Sequence, residues 1–196
     1  MADESYRVTV EDGYRALGML ELASIAHGYE AADQLVKTAS VEYVTAKPTC
    51  PGKFIVIIRG SISAVTAALD RAKQTAGESL VDTFMLGNPA DAVFDALTQE
   101  FPYKRVNAMG IVETWTAASA IVAADQGVKA AETELVRLGL ASHLGGKGYV
   151  IYVGEVAAVQ AAVEAAAADP RVAAKLITTT VIPSPSPQLW DLMKDR

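Results

Sequence analysis

A repeat at an offset of 92 residues constrains this chain more than any other feature. Residues 16–39, ALGMLELASIAHGYEAADQLVKTA, align without gaps on residues 108–131, AMGIVETWTAASAIVAADQGVKAA, with 11 of 24 positions identical. Gly18 meets Gly110, Glu21 meets Glu113, the Ala31-Ala32-Asp33-Gln34 stretch meets Ala123-Ala124-Asp125-Gln126, and Lys37 meets Lys129. That spacing is far too long for a solenoid unit, so each copy is a small domain and the two stand in tandem. The match continues after a two-residue shift, with Gly52-Lys53 on Gly146-Lys147, Gly60 on Gly154 and Pro89 on Pro183. We divide the 196 residues into an N-terminal extension (1–14), a first domain (15–100) and a second domain (107–194), with the boundary near 101–105.

Each copy reads as strand, helix, strand, strand, helix, strand and a short closing helix. The first strand is 15–22 (107–114 in the second copy), and the helix after it is 24–39 (116–131). Residues 41–44 and 133–136 alternate as strands. Residues 54–58 and 149–153 are unbroken β-formers, the mark of central strands buried on both faces. The next helix carries Ile62, Val65, Leu69 and Ala72 on one stripe, and its copy Val156, Val159, Val163 and Ala166. Residues 80–86 and 175–182 are last strands, ended by proline. The class is α/β, more narrowly an α+β variant of the ferredoxin-like plan, with helices on one sheet face.

Charge and composition exclude several functions. Seventeen basic against 23 acidic residues give a net charge of −6, the wrong sign for a nucleic-acid binder, and no basic cluster exceeds Lys104-Arg105. No apolar run exceeds five residues, so no membrane span is expected. The acidic N-terminus is not a secretory signal, and the default compartment is the cytoplasm. The lone Cys50 excludes an intrachain disulfide and a multi-cysteine zinc site within one chain.

Catalytic patterns are missing. Gly146-Lys147 is followed by Gly148 rather than Ser or Thr, so it is no phosphate-binding loop, and no G-x-G-x-x-G or G-x-S-x-G occurs. His27 reads as a helix-surface residue and His143 as a loop residue. Glu21 and Glu113 share a repeat position at a strand-to-helix turn, where each is expected to cap the following helix and favour its dipole. Nothing here points to an enzyme. Cys50 sits in Lys47-Pro-Thr-Cys-Pro-Gly-Lys53, a loop of turn-formers. On residue type alone it reads as an ordinary loop cysteine; three copies around a threefold axis are the alternative, each giving one ligand to an iron–sulfur cluster.

The doubled pattern A-[LM]-G-x-[LV]-E followed by A-A-D-Q-x-V-K resembles the bacterial microcompartment shell domain, and two in one chain resemble its tandem-domain members. The stretches at 48–54 (PTCPGKF), 77–82 (GESLVD), 110–115 (GIVETW) and 145–148 (GGKG) are similar to the T-type branch from propanediol-utilising compartments. The resemblance implies a homotrimer that mimics a hexagonal tile, partnered by other shell proteins in a cytoplasmic microcompartment shell, with small metabolites crossing a central pore. It implies that the loops Pro48, Thr49, Cys50, Pro51, Gly52 and Ser142, His143, Leu144, Gly145, Gly146 face that pore. It makes Cys50 the ligand of one [4Fe-4S] cluster per trimer, and Lys37 and Lys129 tile-edge residues. The chain departs from the family at 181–186 (VIPSPS) and 86–89 (LGNP), where the usual edge arginine is absent, which implies weaker lateral packing. Two rival readings are a metal-free transport tile, and a small-molecule-binding regulator with a ligand pocket between its domains.

Overall fold

The computed structural model describes residues 15–98, 107–141 and 143–194. The extension 1–14 and the boundary segment 101–105 lie outside the described residues. Two four-stranded sheets form. The first comprises β1 (Ala16–Leu22), β2 (Val41–Thr49), β3 (Lys53–Gly60) and β4 (Leu80–Gly87), ordered β2-β3-β1-β4; the second comprises β5 (Ala108–Thr114), β6 (Glu134–Leu140), β7 (Gly148–Gly154) and β8 (Leu176–Pro183), ordered β6-β7-β5-β8. Every neighbouring pair is antiparallel, as the ferredoxin-like plan requires. The helices are α1 (Ile25–Thr38), α2 (Ile62–Ala76) and α3 (Asp91–Thr98) in the first half, and α4 (Ala117–Ala130), α5 (Val156–Ala168), α6 (Pro170–Ala173) and α7 (Pro187–Lys194) in the second.

The central strands are apolar throughout because each buries two faces. In the first sheet Leu20, Leu22, Phe54, Val56 and Ile58 pack under α1 and α2, while Leu17, Met19, Ile55 and Ile57 point the other way into a core shared with the second domain. The period of two along β1 and β3 sorts these sets. The first residue of each predicted helical stripe, Ile62 and Val156, is exposed; the next three are buried. Each first helix is capped by a hydroxyl, Ser24 accepting from the His27 amide and Thr116 from the Ser119 amide.

The sheet register corrects one pairing. Ala16 faces Gly87 and Ala108 faces Pro183, so Gly87 corresponds to Pro183 and Pro89 to Pro185. The two halves also exchange volume at matched sites. Gly28 leaves room for the Phe54 ring, since a Cβ there would sit 2.3 Å from its Cγ. The counterparts are Ala120 and Gly148, both small, and a Cβ on Gly148 would lie 2.6 Å from the Ala120 Cβ. Likewise Gly127 makes room for the fully buried Tyr152, where the first half has Leu35 on Ile58.

The closing helices part company. The face of the second sheet opposite α4 and α5 is covered in part by α7, through Trp190 against Met109, Val136 and Ile151, while Ile111, Tyr149 and Thr180 of the same face line a cleft of about 300 Å³. In the first half, α3 instead crosses to β6 and α4 of the second domain. The first sheet's second face is covered by α4, whose residues 117–124 are all buried. Helices buried on every side must be small and apolar all round, which is the composition of α4 and not of α1.

Candidate functional site

The shorter of the two predicted loops is a tight hairpin tip. β2 runs on through Pro48 and Thr49, so these two are strand residues and not loop residues. The turn itself is Cys50-Pro51-Gly52, closed by the Gly52 amide donating to the Thr49 carbonyl at 3.0 Å, with Gly52 at φ +88°, a conformation that needs glycine. The Cys50–Pro51 bond is cis. Cys50, Pro51 and Gly52 are all exposed, so the thiol stands in water at the strand end.

The longer loop accounts for the two-residue shift. Five residues lie between Ala141 and Lys147, joined by the Ala141 amide donating to the Lys147 carbonyl at 2.9 Å, against three between Thr49 and Lys53. Ser142 lies outside the described residues; His143 is exposed, Leu144 half-buried, and Gly145 and Gly146 take positive φ. The two turns meet. A Cβ on Gly146 would lie 3.1 Å from Lys53 Nζ and 3.2 Å from Pro51 Cδ, so the structure brings both predicted pore loops to one end of the molecule.

Behind the turns sits a buried ion pair that ties the domains together. Glu21 is fully buried in β1 rather than at a turn, and its Oε1 accepts from Lys53 Nζ at 2.8 Å. Its Oε2 accepts from the Ala117 amide at 3.0 Å. The expectation that each glutamate caps the helix following it fails: Ser24 caps α1 and Thr116 caps α4, while Glu21 accepts from the first amide of α4 in the other domain and Glu113 pairs with Lys147. Burial pushes the Glu21 carboxyl above its ordinary range, partly offset by Lys53 and the Ala117 amide. Asp82 adds to this junction by accepting from Thr116 Oγ1 at 2.5 Å. Glu113 pairs with Lys147 at 3.0 Å but stays about one-third exposed, and the Lys147 ammonium lies 5.5 Å from the centre of the exposed Trp115 ring. None of these contacts was legible from spacing, because each joins residues from separate halves or strands.

Lys37 and Lys129, equivalent in sequence, differ in place. Lys37 pairs with Asp33 on an open surface, whereas Lys129 pairs with Asp125, which is 1% exposed, and also donates to the Asn88 carbonyl of the first domain at 3.0 Å. Asp125 also accepts from the Ala90 amide at 2.8 Å. A cleft of about 400 Å³ opens between the domains, lined by Val44, Lys47, Ala96, Arg137 and Tyr149. His27 lies on the exposed face of α1 with its Nδ1 against Ser79 Oγ.

Among the described residues, no group of three or more His, Cys, Asp and Glu side chains converges within the chain. A metal centre at Cys50 would therefore draw its ligands from several copies. The donor fits: an exposed thiol on a tight turn can approach its equivalents around an axis, and iron–sulfur clusters take thiolate ligands.

A duplicated sheet-and-helix domain with both hairpin ends together is the arrangement to set beside known proteins. The BMC domain family matches residues 16–89 and again 108–185. The chain belongs to that family. It is 39% identical to the bacterial microcompartment shell protein PduT of Citrobacter freundii over 179 residues, 91% of this chain and 97% of that one. A crystal structure of a microcompartment protein from Desulfitobacterium hafniense superposes with a TM-score of 0.80 at 38% identity, covering 92% of this chain and 98% of that one. Against the carboxysome shell protein CcmK2 of Synechococcus elongatus the identity is 36% over 78 residues, 38% of this chain and 76% of that one. BMC shell proteins are structural, so the reading that the chain is not an enzyme rests on that membership. Among the described residues no helix is long and apolar enough to cross a membrane.

Proposed function

We propose that the chain is a shell tile: a pseudo-hexameric homotrimer that joins other shell proteins in the facet of a cytoplasmic microcompartment, with a central pore ringed by the Cys50 turn and the 143–146 turn. The observation that carries this reading is the meeting of those two turns at one end of a duplicated shell domain. Three copies place six domains in a hexagon and three Cys50 thiolates on one axis. There they hold one [4Fe-4S] cluster, whose bound chemistry is one-electron transfer across the shell or redox sensing. Each copy contributes one thiolate, and its turn holds that thiolate at the strand end. The fourth iron site is left to an exogenous ligand, and no other cysteine exists to fill it.

The test is anaerobic reconstitution with iron and sulfide, reading iron per chain, electron paramagnetic resonance and mass by light scattering. Wild-type protein should bind about one cluster per trimer, and Cys50→Ser none, with the trimer intact. Equal iron in both proteins refutes the cluster and leaves a metal-free tile passing small metabolites. A monomer refutes the tile itself. The regulator reading has the interdomain cleft in its favour; it expects a discrete oligomer that never forms sheets, which electron microscopy distinguishes.

A further inference from the structure

The interdomain cleft of about 400 Å³ brings together two cations that the tile reading does not use. Lys47 stands opposite Ile55 in the β2–β3 ladder, so both lie on the face of the first sheet that looks at the second domain. Arg137 enters from β6, the edge strand of the second sheet. The sheet registers show that these cations are not repeat copies. Lys47 corresponds to Gly139 and Arg137 to Thr45, so each half places a positive charge where the other has a neutral residue. Gly139 has a further effect. A Cβ there would sit 2.1 Å from Tyr149 Cε1, so the missing side chain lets the Tyr149 ring lie against β6 and form one wall.

The floor of the cleft is apolar. Val44, Ala96, Leu97, Leu138 and Leu140 line it and pack on the core that the domains share. Helix α3 supplies two of these because it crosses from the first domain to β6. Among the described residues that line the cleft none is acidic, in a chain whose net charge is −6. Lys37, Lys53, Lys129 and Lys147 each pair with a carboxylate, whereas Lys47 meets none among the described residues. Two cations above an apolar floor attract an anion more strongly than the same charges in open water, and the planar guanidinium of arginine matches a carboxylate in shape. The volume falls in the range of small-molecule sites.

We propose that this cleft binds a small amphipathic carboxylate, its head group on Lys47 and Arg137 and its hydrocarbon tail on the floor between α3 and β6. An inorganic anion gains the charges but not the floor, and an alcohol gains the floor but not the charges, so neither matches the site. The site lies within one chain and does not depend on the ring assembly proposed above. The cleft also reaches Leu144, the half-buried member of the longer turn, and that turn meets the Cys50 turn at Gly146. On the tile reading, a bound carboxylate therefore touches one of the two turns that ring the pore.

The test titrates sodium hexanoate into the full chain, by calorimetry and by methyl nuclear magnetic resonance of leucine-labelled protein. Half-saturation at about 1 mM or below is expected, with shifts confined to Leu97, Leu138, Leu140 and Leu144. Hexanol and inorganic phosphate should each bind more weakly by about tenfold or more. Lys47 is exposed, so its substitution leaves the fold intact, as circular dichroism checks. Lys47→Met should weaken hexanoate binding by about tenfold or more, and Lys47→Arg should retain it. The site is overturned if hexanoate produces no shift, shifts Leu189 of α7 instead, binds Lys47→Met as well as wild type, or is matched by phosphate. Light scattering of the same samples reads the tile separately. A wild-type monomer that binds hexanoate refutes the ring and leaves this site standing; a trimer that does not bind it refutes the site and leaves the ring.

Discussion

Removing the Glu21 carboxylate should destabilise the whole chain, because the group belongs to both domains at once. Glu21 is fully buried and accepts two hydrogen bonds, from Lys53 at 2.8 Å and from the Ala117 amide at 3.0 Å. Hydrogen bonds to a charged group are worth about 1.5–3 kcal/mol each, and breaking a buried pair by deleting one partner costs about 3–5 kcal/mol. The Lys53 side chain keeps 20% exposure, so water can rehydrate the ammonium it leaves behind. That places Glu21→Ala at the low end, about 3 kcal/mol. Lys53→Met alone leaves an unpaired carboxylate in a dry site and should cost as much or more. In Glu21→Ala/Lys53→Met the losses should fall short of the sum by about 1–3 kcal/mol, since the two share one interaction. The assay is urea denaturation at fixed protein concentration, followed by circular dichroism. The shared core makes a single transition the expectation. A Glu21→Ala cost below about 0.5 kcal/mol, or two separate transitions, would refute the view that this pair joins the domains.

Other expectations follow from the same contacts. Because burial holds the Glu21 carboxyl above its ordinary value of 4.5, the native state binds its proton more tightly than the unfolded chain does. Its contribution is therefore largest below that value and falls as pH rises through the folded one; the melting temperature of wild type minus that of Glu21→Gln should increase on acidification from neutral pH. Gly28→Ala gains about 1 kcal/mol of helix propensity but drives a Cβ into Phe54, so a net loss of about 1–2 kcal/mol is expected, relieved when Phe54→Ala is added. Lys129→Ala should lower the melting temperature while Lys37→Ala leaves it unchanged, since only Lys129 neutralises a buried carboxylate. Equal effects of the two would contradict the placement of Asp125.

Much of the fold is legible in the residues. The repeat gives two copies, the unbroken apolar runs at 54–58 and 149–153 give central strands, and Ser24 and Thr116 mark helix starts. Three things are not legible. The extension of β2 through Pro48 is hidden because proline usually ends strands; here it lies near the end of an edge strand. The true partner of Pro89 is hidden by the unequal turns, which only the sheet register resolves. The role of Glu21 is hidden because its partner helix lies 96 residues away and in another domain. One signal was available. Residues 117–124 of α4 are apolar on every side but for Ser119, where the matching stretch of α1 carries His27, Tyr29 and Glu30, a difference expected when one copy is enclosed.

Fusion of the two copies has a consequence for the proposed pore that single domains cannot reach. A ring of six identical chains repeats every side chain six times around its axis, so one loop cysteine becomes six. In a fused chain the two loops are free to differ, and here they do: three residues with a thiol in one, five residues with two left-handed glycines in the other. In the proposed trimer the thiol recurs three times, once per chain. Three thiolates suit one cubane cluster with a single open iron, whereas six would crowd sulfur and negative charge around the same axis. The asymmetry between the halves extends beyond the loops to Phe54 against Gly148, Asp82 against Thr178, and Ser119 against His27. The two halves keep the same sheet order, yet only the junction between them gathers the buried carboxylates Glu21 and Asp125.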